Sequence, residues 1–289
     1  MSGRGGYALW RRIAGTFRKR SLHFIVGVPR SGTSLCRMLL GCHPRVFAPS
    51  ETPWLFGAYG DDVSLGALVR VLSTSQYGPA RSIAGVCVGD IHAAAKQFIL
   101  TMFAATMRAE SKDVLLLKTP DDIAFVDEIL EIFSGSIVIH LRRDVRDVAL
   151  STTKTGWTRL NLFGENNFDN AVRRWIAWEK KIEAARIRNP ERIVSVRYED
   201  LVAKPEQTLR PILQRLRLPF DADMLRYWQR EHDAPAWDIG SVRAAQFKAI
   251  EPSRAFAYRA YVPSEEQRRI VADHEADIVA LGYQPGWAV

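Results

Sequence analysis

The sequence predicts an α/β protein with a central parallel sheet, covered by helices on both faces in three layers. Three observations carry this. Short apolar runs alternate with amphipathic stretches along the whole chain, the pattern of strand–helix–strand units with right-handed crossovers. A glycine-bounded turn, "GVPRSG" (27–32), joins the first apolar run to the first amphipathic one. Finally, Arg30, Lys118, Arg143 and Tyr198, far apart in sequence, each fall within a few residues of the end of a predicted strand. In a parallel sheet that edge is where ligands bind.

The elements follow in order. "LHFIVGV" (22–28) is short, apolar and closed by turn residues, as a central strand should be. A helix starts at Ser31 or Gly32 and carries Leu35, Met38, Leu39 and Cys42 on one face. "CHPRVFAPSETPWLF" has three prolines and no sustained period, so it reads as loop. Residues 60–110 read as helical, best at "DIHAAAKQFILTMFAATMRAE". "DVLLLK" (113–118) is a second buried strand. "DDIAFVDEILEIF" reads as an amphipathic helix whose two leading acids favour the N-terminal dipole. "SIVIHLR" (136–142) is the third strand, followed by the helix "DVRDVALSTTK". A long helix spans "FDNAVRRWIAWEKKIEAARIR", with Trp175 and Trp178 read as core. "RIVSVRY" (192–198) is the fourth strand and "PEQTLRPILQRL" a helix with proline well placed at its start. The last helix opens at Ser264, with Gln267 at capping-box spacing.

Composition narrows the function. The net charge is +8, but Arg4, Arg11, Arg12, Arg18, Lys19 and Arg20 supply six of those charges. Residues 1–20 therefore read as a basic, flexible leader and residues 21–289 as the functional domain. The rest of the chain is nearly neutral, which argues against a nucleic-acid binder. No apolar run reaches the roughly 18 residues of a membrane span, and no signal-peptide core opens the chain. Cys36, Cys42 and Cys87 lack metal-ligand spacing and read as ordinary buried thiols of a cytoplasmic protein. His140 reads as a core histidine and His43 as a loop anchor.

The loop carries the chemistry. Gly27 and Gly32 have phosphate-loop spacing, yet Thr33 stands where a nucleotide triphosphatase has lysine. "LLLKTP" and "IVIHLRR" end in bases where a magnesium-holding acid would stand. Free N–H groups at the helix start, the Arg30 charge and the hydroxyls of Ser31, Thr33 and Ser34 suit a single 5′-phosphate bearing a substituent. Arg143 and Ser151, eight residues apart and separated by about 12 Å of helical rise, can bracket a second anionic group.

With these segments in view, the chain resembles the sulfotransferases that use 3′-phosphoadenosine 5′-phosphosulfate (PAPS). "GVPRSGTSL" is similar to their 5′-phosphosulfate loop and "HLRRDVRDVALS" to their 3′-phosphate segment. "VRYEDLV" and "SRAFAYRAYV" are similar to later segments, although "EPSRAFAYR" departs from the usual pattern of small residues and tryptophan. The likeness runs from about Leu22 to Tyr283. It implies a P-loop-containing nucleoside-triphosphate-hydrolase-like fold and PAPS as sulfuryl donor, with no metal. It further implies a donor site of Arg30, Ser31, Gly32, Thr33, Ser34, Arg143, Ser151, Tyr198, Ser253 and Arg259. The small-molecule branch of the family has a histidine base just after the second strand, where this chain has Pro120. The spacing of "SETPWLF" from Arg30, with His43–Pro44 between, resembles the tyrosylprotein and carbohydrate branch, which implies Glu51 as general base. Lys118 is then the cation for the leaving bridge oxygen.

The expected acceptor is a small-molecule or saccharide hydroxyl (phenol, alcohol or sugar). Its wall would come from residues 60–110 and from the loops bearing Trp54, Phe56, Tyr59, Trp157 and Phe163. The competing readings are a P-loop nucleotide kinase or NTPase, opposed by the missing lysine and acid, and a non-catalytic nucleotide-binding protein of the same fold, opposed by an intact Glu51 and Lys118.

Overall fold

The computed structural model of the chain describes residues 20–57, 64–76, 78–154, 167–230 and 248–287. The leader before residue 20 and the predicted wall residues Tyr59, Trp157 and Phe163 lie outside them.

Among the described residues, five strands form one parallel sheet: β1 (Ser21–Val26), β2 (Val46–Phe47), β3 (Val114–Lys118), β4 (Val138–Arg142) and β5 (Ile193–Arg197). Their order is β2-β3-β1-β4-β5, so the chain leaves β1 for the edge at β2, returns through β3 beside β1, and then crosses to β4 and β5 on the other side. That reversal opens a crevice beyond the carboxyl ends of β3, β1 and β4. The register brings Lys118, the last residue of β3, beside Ile25, and His140 beside Val26.

Helix α1 (Thr33–Gly41) follows β1. Between β2 and β3 come α2 (Leu65–Thr74), α3 (Pro79–Ser82), α4 (Val88–Met102) and α5 (Ala104–Ala109). Then come α6 (Val126–Ile132), α7 (Val145–Lys154), α8 (Phe168–Arg188), α9 (Tyr198–Ala203), α10 (Pro205–Arg215), α11 (Glu265–Asp273) and α12 (Glu275–Ala280). Alternation of side chains along the strands builds two cores. Leu22, Phe24 and Val26 of β1, with Leu115 and Leu117 of β3, meet α4, α6, α7 and α8 on one face. Ile25, Leu116, Ile139 and Leu141 meet α1 and α10 on the other. Each fully buried leucine or isoleucine there contributes about 1.5–3 kcal/mol. Trp175 is fully buried in the first core, and its indole N–H donates to the Arg143 carbonyl at 2.9 Å. This ties α8 to the start of α7.

Three elements depart from the sequence reading. Strand β2 lies inside the stretch read as loop; two residues are too few to show a period, and they pair with β3. The segment read as one helix from Asp121 is a 3₁₀ turn over Pro120–Phe125 followed by α6. Pro120 is at its first position, and the two acids are buried in the turn instead of facing solvent at a helix start. Cys87 is exposed rather than buried: it caps α4, with its backbone N–H donating to the Asp90 carboxylate at 2.8 Å. The capping box at Ser264 and Gln267 forms as its spacing predicts. Among the described residues no helix is long and apolar enough to cross a membrane.

Candidate active site

The phosphate-type loop is held by close backbone contact. A Cβ on Gly27 would lie 2.4 Å from the Leu141 carbonyl of β4, so only glycine fits. Its N–H donates to the Pro120 carbonyl at 3.2 Å, joining the loop to the turn after β3. Gly32 has φ of 97°, and a Cβ there would lie 2.3 Å from the Tyr198 ring. Arg30 also has a left-handed backbone, with φ of 77°. An arginine in that region is strained by about 1–3 kcal/mol and persists where its surroundings hold it. They do: the Arg143 guanidinium donates to the Arg30 carbonyl at 3.4 Å, and Arg30 Nε donates to Ser151 Oγ at 2.9 Å. The start of α1 has no side-chain cap, which leaves its backbone N–H groups to whatever enters the loop.

The second arm comes from β4 and α7. Arg143 lies over the Tyr198 ring at 4.3 Å, donates to the Arg254 carbonyl at 3.0 Å and pairs with Asp147 at 3.3 Å. Burial pushes the Asp147 carboxyl up, Arg143 pulls it back down, and Asp147 accepts the Tyr258 N–H at 2.7 Å. Asp147 thus pins the late segment to α7. In that segment Ser253 and Arg259 are exposed; Arg259 lies over the Phe256 ring at 4.4 Å. The late segment reaches the cradle through the Arg254 carbonyl and Tyr258.

Glu51 and Lys118 meet. The Lys118 ammonium is bonded to Glu51 Oε1 and to Ser34 Oγ, the latter at 3.3 Å, and Lys118 is 2% exposed. Two hydrogen bonds align the segments that follow β2 and β3: Thr52 N–H donates to Thr119 Oγ1 at 3.1 Å, and the two hydroxyls lie 3.4 Å apart. Glu51 and Lys118 come from segments 67 residues apart, and Ser34 places both against the donor-side loop.

Behind this pair lie further charges, two of which the sequence reading took for helix-start acids. Asp121 and Asp122 are buried. Burial pushes Asp121 up to about 7, against the opposing pull of Arg174 and Lys118. Asp122 is held well above the usual carboxylate range by burial and by Asp121. Arg174 on α8 is 7% exposed, and burial lowers its pKa against the pull of Asp121. The available signal was position: two acids directly beyond a strand's carboxyl end, where a ligand crevice lies.

The remaining predicted residues are placed plainly. His140 is in the core, sharing hydrogen bonds with Ser195 and Glu179 at 3.0 and 3.2 Å. His43 lies 3.1 Å from the Pro219 carbonyl and accepts the Arg45 N–H, as a loop anchor. Phe56 is not an open acceptor wall: it is buried and stacked on Phe125, with centroids 5.3 Å apart. Trp54 packs against the same core.

The chain belongs to the sulfotransferase family, whose profile matches residues 23–222. It is 26% identical to a protein-tyrosine sulfotransferase of Drosophila melanogaster over 279 residues, covering 95% of this chain and 54% of the relative. It is 25% identical to protein-tyrosine sulfotransferase 1 of Danio rerio, covering 91% of this chain and 72% of the relative. The chain thus spans about half the length of the fly protein. Among solved structures, the sulfotransferase domain of the Synechococcus olefin synthase superposes with a TM-score of 0.62 at 23% identity, covering 91% of this chain and 94% of that domain. The sulfotransferase domain of the curacin biosynthetic pathway gives 0.59 at 22% identity, covering 92% and 99%. These likenesses share the fold described above.

Proposed function

We propose that the chain moves a sulfuryl group from PAPS to a hydroxyl acceptor, with Glu51 as general base and Lys118 as the cation at the leaving oxygen. The observation that carries this is the Glu51–Lys118–Ser34 contact beside the cradle of Arg30, Arg143 and Ser151. Unmet polar groups fit the donor. Among the described residues, Ser31 Oγ and Arg143 Nε are buried without a hydrogen-bond partner, and no side chain caps the N-terminus of α1. Buried polar atoms of this kind call for a partner, and an anion at a helix N-terminus supplies one. Ser31, Gly32, Thr33 and Arg30 would hold the 5′ group, and Arg143 with Ser151 the 3′-phosphate. Tyr198, under both Gly32 and Arg143, aligns the two arms.

Bound PAPS supplies an activated S–O bond, whose electron pair departs on the bridge oxygen as the acceptor O–S bond forms. Catalysis by the protein is then a matter of position and charge. Glu51 takes the acceptor proton, and Lys118, reaching Ser34 on the donor side, offsets charge at the bridge oxygen. Until ligands enter, Lys118 and Glu51 pair with each other inside the crevice. The protein-tyrosine sulfotransferase relatives support a phenolic hydroxyl as the first acceptor to try. Incubation with ³⁵S-labelled PAPS and a panel of tyrosine peptide, phenol, alcohol and sugar should label at least one member. Turnover of ATP–magnesium with no release of PAP, the desulfated product, from PAPS contradicts the proposal.

A further inference from the structure

Three arginines near the carboxyl ends of β4 and β5 hold the carbonyls of one stretch of chain. Arg142 and Arg197, the last residues of those strands, lie opposite each other in register. Arg142 donates to the Leu281 carbonyl at 2.5 Å and Arg197 to the Gly282 carbonyl at 3.2 Å. Arg146, on the first turn of α7, donates to the Gly286 carbonyl. Between these anchors Tyr283 is buried, with the Arg197 guanidinium over its ring at 4.3 Å and Trp175 edge-on at 5.7 Å. A strap from Leu281 to Trp287 thus follows α12 and runs from the ends of β4 and β5 to α7. It finishes on the late segment: the Trp287 ring lies 6.0 Å from Tyr258 and 6.2 Å from Tyr261. Tyr258 is buried and also carries the Arg146 guanidinium over its ring at 4.1 Å. Arg146 has no room to shift, being fully buried and bound by Asp144 through Nε and Nη2 at 2.7 and 2.6 Å. Neither Tyr258 Oη nor Trp287 Nε1 has a hydrogen-bond partner among the described residues, so ring packing and the Arg146 cation make this joint. Phe256, two residues before Tyr258, has a left-handed backbone with φ of 53°. An aromatic residue keeps that conformation only where its surroundings hold it.

Two links join this joint to the donor cradle. Tyr258 N–H donates to Asp147, which pairs with Arg143, and the Arg254 carbonyl accepts from Arg143 Nη2 at 3.0 Å. Arg143 Nη1 is taken by the Arg30 carbonyl at 3.4 Å. Both outer nitrogens of the guanidinium are therefore held, and Nε is left as a buried donor without a partner among the described residues. We propose that the strap sets the late segment in place so that Arg143 is held ready for the 3′-phosphate of the donor, with Arg146 and Trp287 as positioning residues for that group. The proposal rests on the cradle being a PAPS site. Without the Trp287 ring, Tyr258 loses one of its two clamps and the turn around Phe256 is free to relax. The Arg254 carbonyl and the Tyr258 N–H then no longer fix Arg143 and Asp147, and the ligand has to order the guanidinium itself, at a cost in side-chain entropy. The 5′ loop is held separately, by Gly27 against β4 and Gly32 against Tyr198, so it does not depend on the strap.

Calorimetric titration of PAP and of AMP into the full chain tests this. Trp287→Ala should lower PAP affinity by about tenfold, part of what a charge-assisted bond to phosphate contributes, and leave AMP near wild type. Trp287→Phe keeps a ring at the joint and drops only an N–H that has no partner, so it should restore most of the PAP affinity. A merely structural tryptophan would not separate the two nucleotides. Trypsin supplies a readout independent of affinity, because Arg254 and Arg259 in the late segment are exposed. Cleavage there should be faster in Trp287→Ala than in wild type. If Trp287→Ala folds poorly, Tyr261→Ala removes a more exposed ring of the same joint and should show the same selective loss of PAP at smaller size. Wild-type PAP affinity in Trp287→Ala, equal losses of PAP and AMP, or a Trp287→Phe as weak as Trp287→Ala overturns the role of the strap and leaves the donor site standing. A wild-type chain that binds PAP no better than AMP removes the donor site and this proposal with it.

Discussion

The two halves of the crevice are built on opposite principles. The donor half is backbone and arginine: a glycine loop, an uncapped helix start, and Arg30 and Arg143 tied to each other's neighbours through Ser151, Tyr198 and backbone carbonyls. The proposed acceptor half is largely buried charge: Lys118, Asp121, Asp122 and Arg174, with Glu51 half-buried beside them, drawn from four separate segments. In the first, geometry is set by close approach, and a wrong atom simply does not fit. In the second, geometry is set by which groups are ionised, so small changes of charge propagate from one residue to the next. Binding and chemistry should therefore respond to different perturbations.

The largest expected separation is at Glu51. Glu51→Gln should lower turnover by about 10²–10⁴-fold while leaving PAP affinity near wild type, because in the proposed mechanism Glu51 faces the acceptor and not the nucleotide. Equal loss of turnover and PAP affinity would merge the two halves into one.

Next in size is the pH dependence of stability set by Asp121. Its folded-state pKa, about 7, lies above the ordinary carboxylate value. The folded state therefore keeps a proton that the unfolded chain has released. Stability from this group is greatest in acid and falls as pH rises from about 4 to 7, by up to about 4 kcal/mol, and then levels off. Denaturant titrations of wild type and Asp121→Asn should diverge across that window, with the variant gaining. Parallel curves would put the charge effect elsewhere.

On the donor side, Arg143→Ala should weaken PAP by the equivalent of about 1.5–3 kcal/mol and AMP far less, since the lost contact is to the 3′-phosphate. Equal losses in calorimetry would make Arg143 a structural tie between Arg30, Tyr198 and Arg254. Outside both halves, Ser264→Ala removes the capping box of α11. It should cost about 1 kcal/mol of stability and leave PAP binding and turnover unchanged, which calibrates the other variants.

The donor half was readable from sequence because its requirements are local. Gly27, Arg30 and Gly32 lie within one turn, and a strand feeding a helix fixes what they do. Arg143 and Ser151 follow from the next such junction. The meeting of Glu51 with Lys118 required a family likeness to foresee, since no local pattern pairs a loop glutamate with a strand-end lysine. Asp121 was marked only by its position beyond the end of β3, and Arg174 was not readable. Helical periodicity made Asp121 a dipole-complementing acid and left Arg174 as one charge on a long helix. Only the packing of α8 on a proline-opened 3₁₀ turn makes them neighbours. Strand β2 escaped for a different reason, being only two residues long.

The central claim is that this loop and its second arm bind a nucleotide carrying both a 5′ and a 3′ anionic group. Thermal unfolding with PAP, AMP and ATP–magnesium, each at matched concentration with and without chelator, tests it most directly. PAP at 100 times its dissociation constant should stabilise the fold by about 2.7 kcal/mol through mass action, unaffected by chelator, with AMP giving much less. A shift with ATP–magnesium and none with PAP would contradict the account.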